Sequence, residues 1–289
     1  MAISEAQLTT WSRPGAQVSS TATHTSIKAA LEAHSWPAGM SFETYLQGSY
    51  GNHTNIRGNS DVDLVVQAVG IPNTPFYSNV LNQDWAQYNI TPGSFSFPEF
   101  KVQVRQALIN YYGSPLIDEE TSDKCITVRA ASGRLTADVI PCLEYRRYNG
   151  GVLIASGMKF FTTTGAEIVN YPKLHRERGE AKNSAERTSG MFKDMVRIFK
   201  NAREHVPGNF GDHASYFIEC LLFNVPDDRF RGSYAQAFYE ILIYLQQANL
   251  NGFKTQSGQE DLFGAGSTQW DVTKANAFVA GMVRLWNAG

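Results

Sequence analysis

The stretch GSYGNHTNIRGNSDVDLVV, Gly48 to Val66, decides how the rest of the chain is read. It follows a short run, Phe42 to Gln47, that predicts a β-strand. It ends inside a second predicted strand, Asp61 to Val69, rich in Val and Leu. Gly48 and Ser49 therefore sit on a strand-to-helix turn. Glycine lets a backbone approach a ligand closely, and N–H groups at a helix start, with a serine hydroxyl, suit a phosphate. Taken alone, the pair reads equally well as an ordinary turn with Ser49 as helix cap. In the second strand alternate residues share a face: Asp61, Asp63 and Val65 on one, Val62, Leu64 and Val66 on the other. Two carboxylates on one strand face repel, and without a partner one of them would hold a proton. A divalent cation removes that conflict, and Mg²⁺ prefers hard carboxylate oxygens.

A third carboxylate follows the same logic. In LTADVIPCL, Leu135 to Leu143, the residues Leu135, Ala137 and Val139 form one strand face and Thr136, Asp138 and Ile140 the other. If this strand lies beside the first, Asp138 joins Asp61 and Asp63. Three acidic groups around two metal ions, roughly 3.5–4 Å apart, stabilise both the attacking and the leaving oxygen in phosphoryl transfer.

Outward from this centre the pattern predicts a helix over 16–35, ending before Pro37, and a loop over 70–95, broken by Pro72, Pro75, Pro92 and Gly93. A helix over 98–112 opens on a proline. Strands follow at Cys125–Ala130, Leu135–Leu143, Val152–Phe161 and Glu167–Asn170. From Leu174 the periodicity turns helical, with main helices at 188–204, 213–223, 233–249 and 273–286. The expectation is an α+β chain of two lobes: residues 1–172 with a mixed sheet and N-terminal helices, and a helical lobe over 173–289. The cleft between them is the default site.

Composition narrows the function. The chain has 289 residues, 43% hydrophobic and 18% charged, with a formal net charge of −2. That is a soluble globular protein with no basic excess, so no stable nucleic-acid partner is expected. Cys125, Cys142 and Cys220 are widely spaced, which predicts neither a disulfide framework nor structural zinc and fits the reduced cytoplasm. The N-terminus has no signal-peptide pattern, and no apolar run approaches a bilayer span, so no membrane association is expected. The six histidines are scattered. Of these, His53 lies in the Gly-Ser loop and borders any nucleotide bound there. No G-x-S-x-G elbow, P-loop or dinucleotide fingerprint is present.

As one unit, residues 48–66 are far more specific than their parts. A Gly-Ser turn, a spacer of about a dozen residues, D-x-D on the next strand and a distant third Asp resemble the signature of the polymerase-beta-like nucleotidyltransferase superfamily. Within it the chain resembles the bacterial relatives of cyclic GMP-AMP synthase and the oligoadenylate synthases, the cGAS/DncV-like nucleotidyltransferases or CD-NTases. The likeness continues through AKNSAERTSGMFKDMVRIFKNAR and ASYFIECLLFNVP. It implies a two-lobed fold whose helical lobe closes a nucleotide cleft. It also implies an enzyme that joins NTPs into a cyclic di- or trinucleotide, a second messenger in anti-phage signalling. The downstream effector then binds the product, not this protein. Gly48, Ser49, Asp61, Asp63 and Asp138 match the family's active-site pattern, with two Mg²⁺ or Mn²⁺ ions held by the three aspartates.

In SGMFKDMVRIFKNAREH, Met191, Met195 and Phe199 share a core face at helical spacing, while Lys193, Arg197 and Lys200 form a basic stripe. A solvated face is the usual meaning of such a stripe. The resemblance makes Lys193, with Lys200, an expected grip on the donor triphosphate, and Ser215, in a helix capped by Asp212, a second. Lys182 and Asn183 are expected to face the same cleft. Two alternatives stay open: nucleotidyl transfer to a small molecule, protein or RNA end, and a catalytically silent NTP-binding regulator.

Overall fold

The computed structural model describes residues 3–15, 18–57, 61–69, 77–79, 82–88, 95–118, 124–131, 133–208, 210, 214–266 and 268–288. They form two compact units between which the chain passes more than once. One comprises Ala16–Gly51 and Ser60–Leu174; the other comprises Met1–Gly15, Asn52–Asn59 and His175–Gly289. The main change of unit falls near residue 174, but the first fifteen residues and the segment after the Gly-Ser turn belong with the helices. A single boundary near 172 does not describe this interleaving.

The first unit is built on a mixed sheet in the order β1 (Ser41–Leu46), β2 (Val62–Val69), β6 (Ala137–Asn149), β5 (Ile126–Val128), β4 (Ile117–Asp118). β3 (Tyr77–Ser78) lies beside β6, within the segment read as loop, and β7 (Val152–Phe161) pairs with β6 and with β8 (Glu167–Asn170). β6 is the spine. One edge takes β2 along Ala137–Leu143, in parallel; the other takes β5 along Ala137–Val139 and β7 from Leu143 onward. Pro141 falls in the gap between β5 and β7, where its missing N–H leaves no ladder bond unmade. Val62, Leu64 and Val66 of β2 and Val139 and Leu143 of β6 are buried with Ile27 and Leu31 of α2 (Val18–Glu32) and Phe100, Val104 and Leu108 of α4 (Phe97–Tyr112). α4 starts where Ser96 and Glu99 cap each other: the Glu99 N–H donates to the Ser96 hydroxyl at 3.4 Å, and the Ser96 N–H donates to the Glu99 carboxylate at 2.7 Å.

The second unit packs α1 (Glu5–Ser12), α6 (Met191–Arg203), α7 (Ala214–Phe223), α8 (Tyr234–Gln247) and α9 (Val272–Ala288) around one apolar cluster. α6 supplies Phe192, Met195, Val196 and Phe199 to it, α7 supplies Ile218 and Leu221, α8 Phe238 and Ile241, and α9 Phe278 and Met282. The Phe199 and Phe238 rings meet at 4.6 Å.

Several expectations need correction. α1 has almost no apolar periodicity; its existence rests on Leu8 reaching the helical core. α5 (Pro172–Asn183) is too polar to stand among the main helices read after Leu174, and it is held by the buried His175, Gly179 and Lys182. β6 runs six residues past Leu143, through EYRRYN, because β7 supplies a ladder partner that local pattern cannot reveal. Asp212, expected to cap the helix beginning near 213, lies outside the described residues.

Phe199 is fully buried in the helical core against Phe238. Phe199→Ala is expected to cost about 3–5 kcal/mol and to lower the melting temperature by on the order of 10 °C. A calorimetric shift of only a degree or two would contradict this packing.

Candidate active site

Two adjacent strands bring the carboxylates together. β2 and β6 run parallel with Asp63 directly opposite Asp138, so their Cα atoms are one inter-strand spacing apart, about 4.8 Å. Asp61 is exposed and stands two residues ahead on the same side of the chain. Asp138 is steadied from its other neighbour: Thr127 of β5 is its cross-strand partner and donates its hydroxyl to the carboxylate at 2.7 Å. Burial, with the charges of Asp138 and Asp61 added, pushes the Asp63 carboxyl up to about 7 from an ordinary 3.8.

The Gly-Ser turn is built against the same group. Gly48 opens α3 (Gly48–Asn52) at φ +60°, and a β-carbon placed on it would lie 2.2 Å from an Asp63 carboxylate oxygen. Only glycine tolerates both the left-handed backbone and that approach. The Gln47 N–H donates to the Asp63 carbonyl at 3.0 Å, so the turn is anchored to the strand that carries the acids. Gly48, Ser49, Asp61, Asp63 and Asp138 thus all belong to one compact unit.

Hard oxygen donors, one of them resisting ionisation because of its burial and its charged neighbours, form a set that fits divalent cations. As they stand they do not converge on a point. Among the described residues no group of three His, Cys, Asp or Glu side chains is close enough to hold an ion. The register fixes the backbones of Asp63 and Asp138.

The basic stripe of α6 is a different matter. Lys193, Arg197 and Lys200 are all buried, at 6%, 7% and 1% exposure, so this is not a solvated face. Lys200 is a correction to the expected triphosphate grip. Its ammonium lies inside the helical unit, donating to Glu219 at 2.5 Å and to the Thr54 carbonyl and hydroxyl at 3.2 Å each. Glu219, on α7, is the missed residue. It also accepts from Asn52 at 3.0 Å, from Thr54 at 2.5 Å and from His175 at 3.1 Å. Against the cost of burial, Lys200 and His175 hold its carboxyl far below the carboxylate range, and burial in turn lowers the Lys200 ammonium. A lone acid inside the apolar helix ASYFIECLLF was the sequence signal for it.

Lys182 is likewise spent. It is 2% exposed and donates to the Val225 carbonyl at 2.6 Å and to Asp227 at 2.8 Å. The Asn183 side chain accepts the Lys193 N–H at 2.9 Å and so caps the first turn of α6. Lys193 itself is ion-paired at 2.5 Å with Glu180 of α5, whose side chain is half exposed. Ser215 stands in the first turn of α7 and accepts a hydrogen bond from Arg203 at 3.2 Å. Lys193 and Ser215 keep side chains within reach of solvent; Lys200 and Lys182 do not.

Comparisons with known proteins give the family. A family model described as the cGAS/DncV-like nucleotidyltransferase C-terminal helical domain matches residues 177–287. The chain is 40% identical to the cyclic UMP-AMP synthase of Rhodothermus marinus, over 99% of this chain and 98% of that one. It is 34% identical to a cyclic dipyrimidine nucleotide synthase of Cecembia lonarensis, over 98% and 97% respectively. The solved structure of the R. marinus c-UMP-AMP synthase with Apcpp and Upnpp superposes with a TM-score of 0.89 at 38% identity, covering 99% of this chain and 97% of that one. The chain belongs to the cGAS/DncV-like nucleotidyltransferases. Its fold is accordingly the α+β, two-lobed polymerase-beta-like nucleotidyltransferase fold, and it is an enzyme of that class.

Two tests follow from the site. In the unfolded chain Asp63 ionises near 3.8, but in the folded chain it ionises only near 7. Its contribution is therefore intact at low pH, declines as pH rises between those values and is a full penalty above them. In chelator, Asp63→Asn is expected to melt above the parent at pH 8, with the two converging toward pH 4; parallel curves across that range would refute the assignment. In the helical unit, Glu219→Gln leaves Lys200 buried without its counter-charge and is expected to cost about 3–5 kcal/mol, whereas adding Lys200→Met to it removes the orphaned charge, keeps an acceptor for Asn52 and Thr54, and should recover part of that loss. Equal melting temperatures for the single and double variants would show that the pair is not the buried hub described.

Proposed function

We propose that this nucleotidyltransferase joins nucleoside triphosphates into a cyclic dinucleotide second messenger. The observation that carries the reading is the Asp63–Asp138 pairing, with Asp61 beside it and the Gly48 turn folded onto it. The attacking group is a ribose hydroxyl. Its oxygen forms a bond to the α-phosphorus of the donor NTP, the bond from that phosphorus to the β-phosphate bridging oxygen breaks, and pyrophosphate leaves with the electron pair. Asp138, oriented by the Thr127 hydroxyl, takes the hydroxyl proton. Ser49 and the N–H groups of α3 orient the phosphates of the incoming nucleotide, which brings the α-phosphate into line. Lys193 and Ser215 of the helical unit are the proposed grip on the terminal phosphates.

Asp61, Asp63 and Asp138 would hold two Mg²⁺ or Mn²⁺ ions. When bound, such ions supply charge stabilisation to the attacking and leaving oxygens. A second round of the same chemistry, on the turned-over linear intermediate, closes the ring. Relatives named for cyclic UMP-AMP and for cyclic dipyrimidine products support a cyclic dinucleotide and leave the two bases to experiment. A role in anti-phage signalling is proposed on the family resemblance, with an effector that binds the product. No helix among the described residues is long and apolar enough to cross a membrane.

The test is incubation of the purified chain with all four NTPs and Mg²⁺ or Mn²⁺, then phosphatase and mass spectrometry. The expected result is a phosphatase-resistant cyclic dinucleotide, reduced on the order of 100-fold or more in Asp61→Ala/Asp63→Ala. A linear adduct on an added acceptor, with nothing formed from NTPs alone, would replace the cyclase reading with single transfer. Unchanged output from the double variant would remove the carboxylates from the chemistry.

A further inference from the structure

Around the first turn of α6 the helical unit gathers more positive charge than it neutralises. Lys193, Arg176 of α5 and His53 lie about one carboxylate, Glu180. Arg197 is nearby but fully engaged: it donates to the Ser12 carbonyl, to the His53 carbonyl at 2.5 Å and to the Asp194 carboxylate. Arg176 is exposed and has no carboxylate partner among the described residues. His53 is held in the left-handed backbone region at φ +60°, fixed there by the Arg197 bond to its carbonyl. Burial first, then the Lys193 charge, lowers the imidazole, while Glu180 acts in the opposite sense.

The Lys193–Glu180 pair is lopsided. The lysine side chain is 8% exposed and its helix turn is capped by Asn183, so the ammonium stays where it is. The glutamate is 50% exposed on the outer side of α5 and can turn into solvent at little cost. A fixed, nearly buried cation with a loosely held carboxylate in front of it, flanked by the Arg176 guanidinium and the His53 imidazole, is an anion site whose present occupant is a side chain.

We propose that Glu180 is a displaceable internal anion that occupies the Lys193 ammonium until the terminal phosphates of a nucleotide replace it, with Arg176 and His53 completing the polyphosphate site. The role of Lys193 rests on the function proposed above; the displacement of Glu180 and the parts played by Arg176 and His53 go beyond it. Glu180 competes with ligand for one cation. It weakens polyphosphate binding in both directions of the reaction cycle, at substrate entry and at pyrophosphate release.

The test uses the full chain with inorganic tripolyphosphate in chelator as the probe, titrated calorimetrically, and with the His53 imidazole followed by NMR. Removing a competing ion pair of this exposure is expected to tighten tripolyphosphate binding by roughly two- to five-fold in Glu180→Gln and to lower the NTP KM by a similar factor. The melting temperature should stay within about 2 °C of the parent, since Glu180 is half exposed and glutamine keeps an acceptor for the Lys193 ammonium. Arg176→Ala is expected to weaken tripolyphosphate binding, and saturation with it should raise the His53 imidazole pKa. Unchanged affinity and KM in Glu180→Gln, or a His53 signal indifferent to tripolyphosphate, would overturn the proposal. The two readings fail separately. A chain that makes no cyclic product but shows the tripolyphosphate effects keeps this inference and loses the synthase reading. A chain that makes the product with Glu180→Gln indistinguishable from the parent does the reverse.

Discussion

Parallel pairing of β2 with β6 sets two carboxylates side by side on a rigid sheet, and the rest of the first unit answers to that constraint. A hydrogen-bonded sheet cannot move Asp63 away from Asp138 without a register slip, which would turn the whole buried face of β2 outward. The repulsion must therefore be met where it arises. Thr127 meets part of it by donating to Asp138. A retained proton on Asp63 near neutral pH meets another part. Cations are the remaining means, and the only one of the three that also contributes to chemistry on a phosphate. The Gly48 turn, pressed against the same carboxylate, leaves no room for a side chain that could neutralise it from that side.

Much of this was legible because it is local. Period-two alternation located β2 and the first half of β6, and a D-x-D on one strand with a Gly-Ser turn before it is a pattern within twenty residues. What could not be read depends on partners distant in sequence. Thr127 is eleven residues from Asp138 and becomes its neighbour only through the antiparallel pairing of β5 with β6. The second half of β6 carries no apolar alternation and exists because β7 folds back on it. α1 and α5 are too polar to announce themselves, and each is held by a few buried side chains.

The basic stripe of α6 shows the other kind of failure, in which the spacing was right and the environment was not. Lys193, Arg197 and Lys200 do share a side of the helix. But α6 is enclosed, so its polar side meets protein where solvent or ligand was expected. Long cationic side chains are suited to this: the stem packs as a hydrophobe and the head group seeks acceptors. For Arg197 and Lys200 these include backbone carbonyls of the segment that follows the Gly-Ser helix.

That segment explains why cations are needed there. Asn52, Thr54, Asn55 and Ile56 are buried, yet from His53 to Ile56 the chain has no helix or strand to satisfy its backbone. Buried carbonyls must find donors. Arg197 supplies the one at His53 and Lys200 the one at Thr54, while the Thr54 and Asn52 side chains are taken up by Glu219. An apolar substitute for Lys200 and Glu219 would avoid the cost of burying two charges, but it would leave those groups unanswered. Burying the charges therefore specifies the path of an irregular segment more than it strengthens the core. Of the three cations, the two nearer the C-terminal end of α6 are committed to that segment. Lys193 is paired instead with a half-exposed glutamate, which is why it is the cation we propose for an anion that comes and goes.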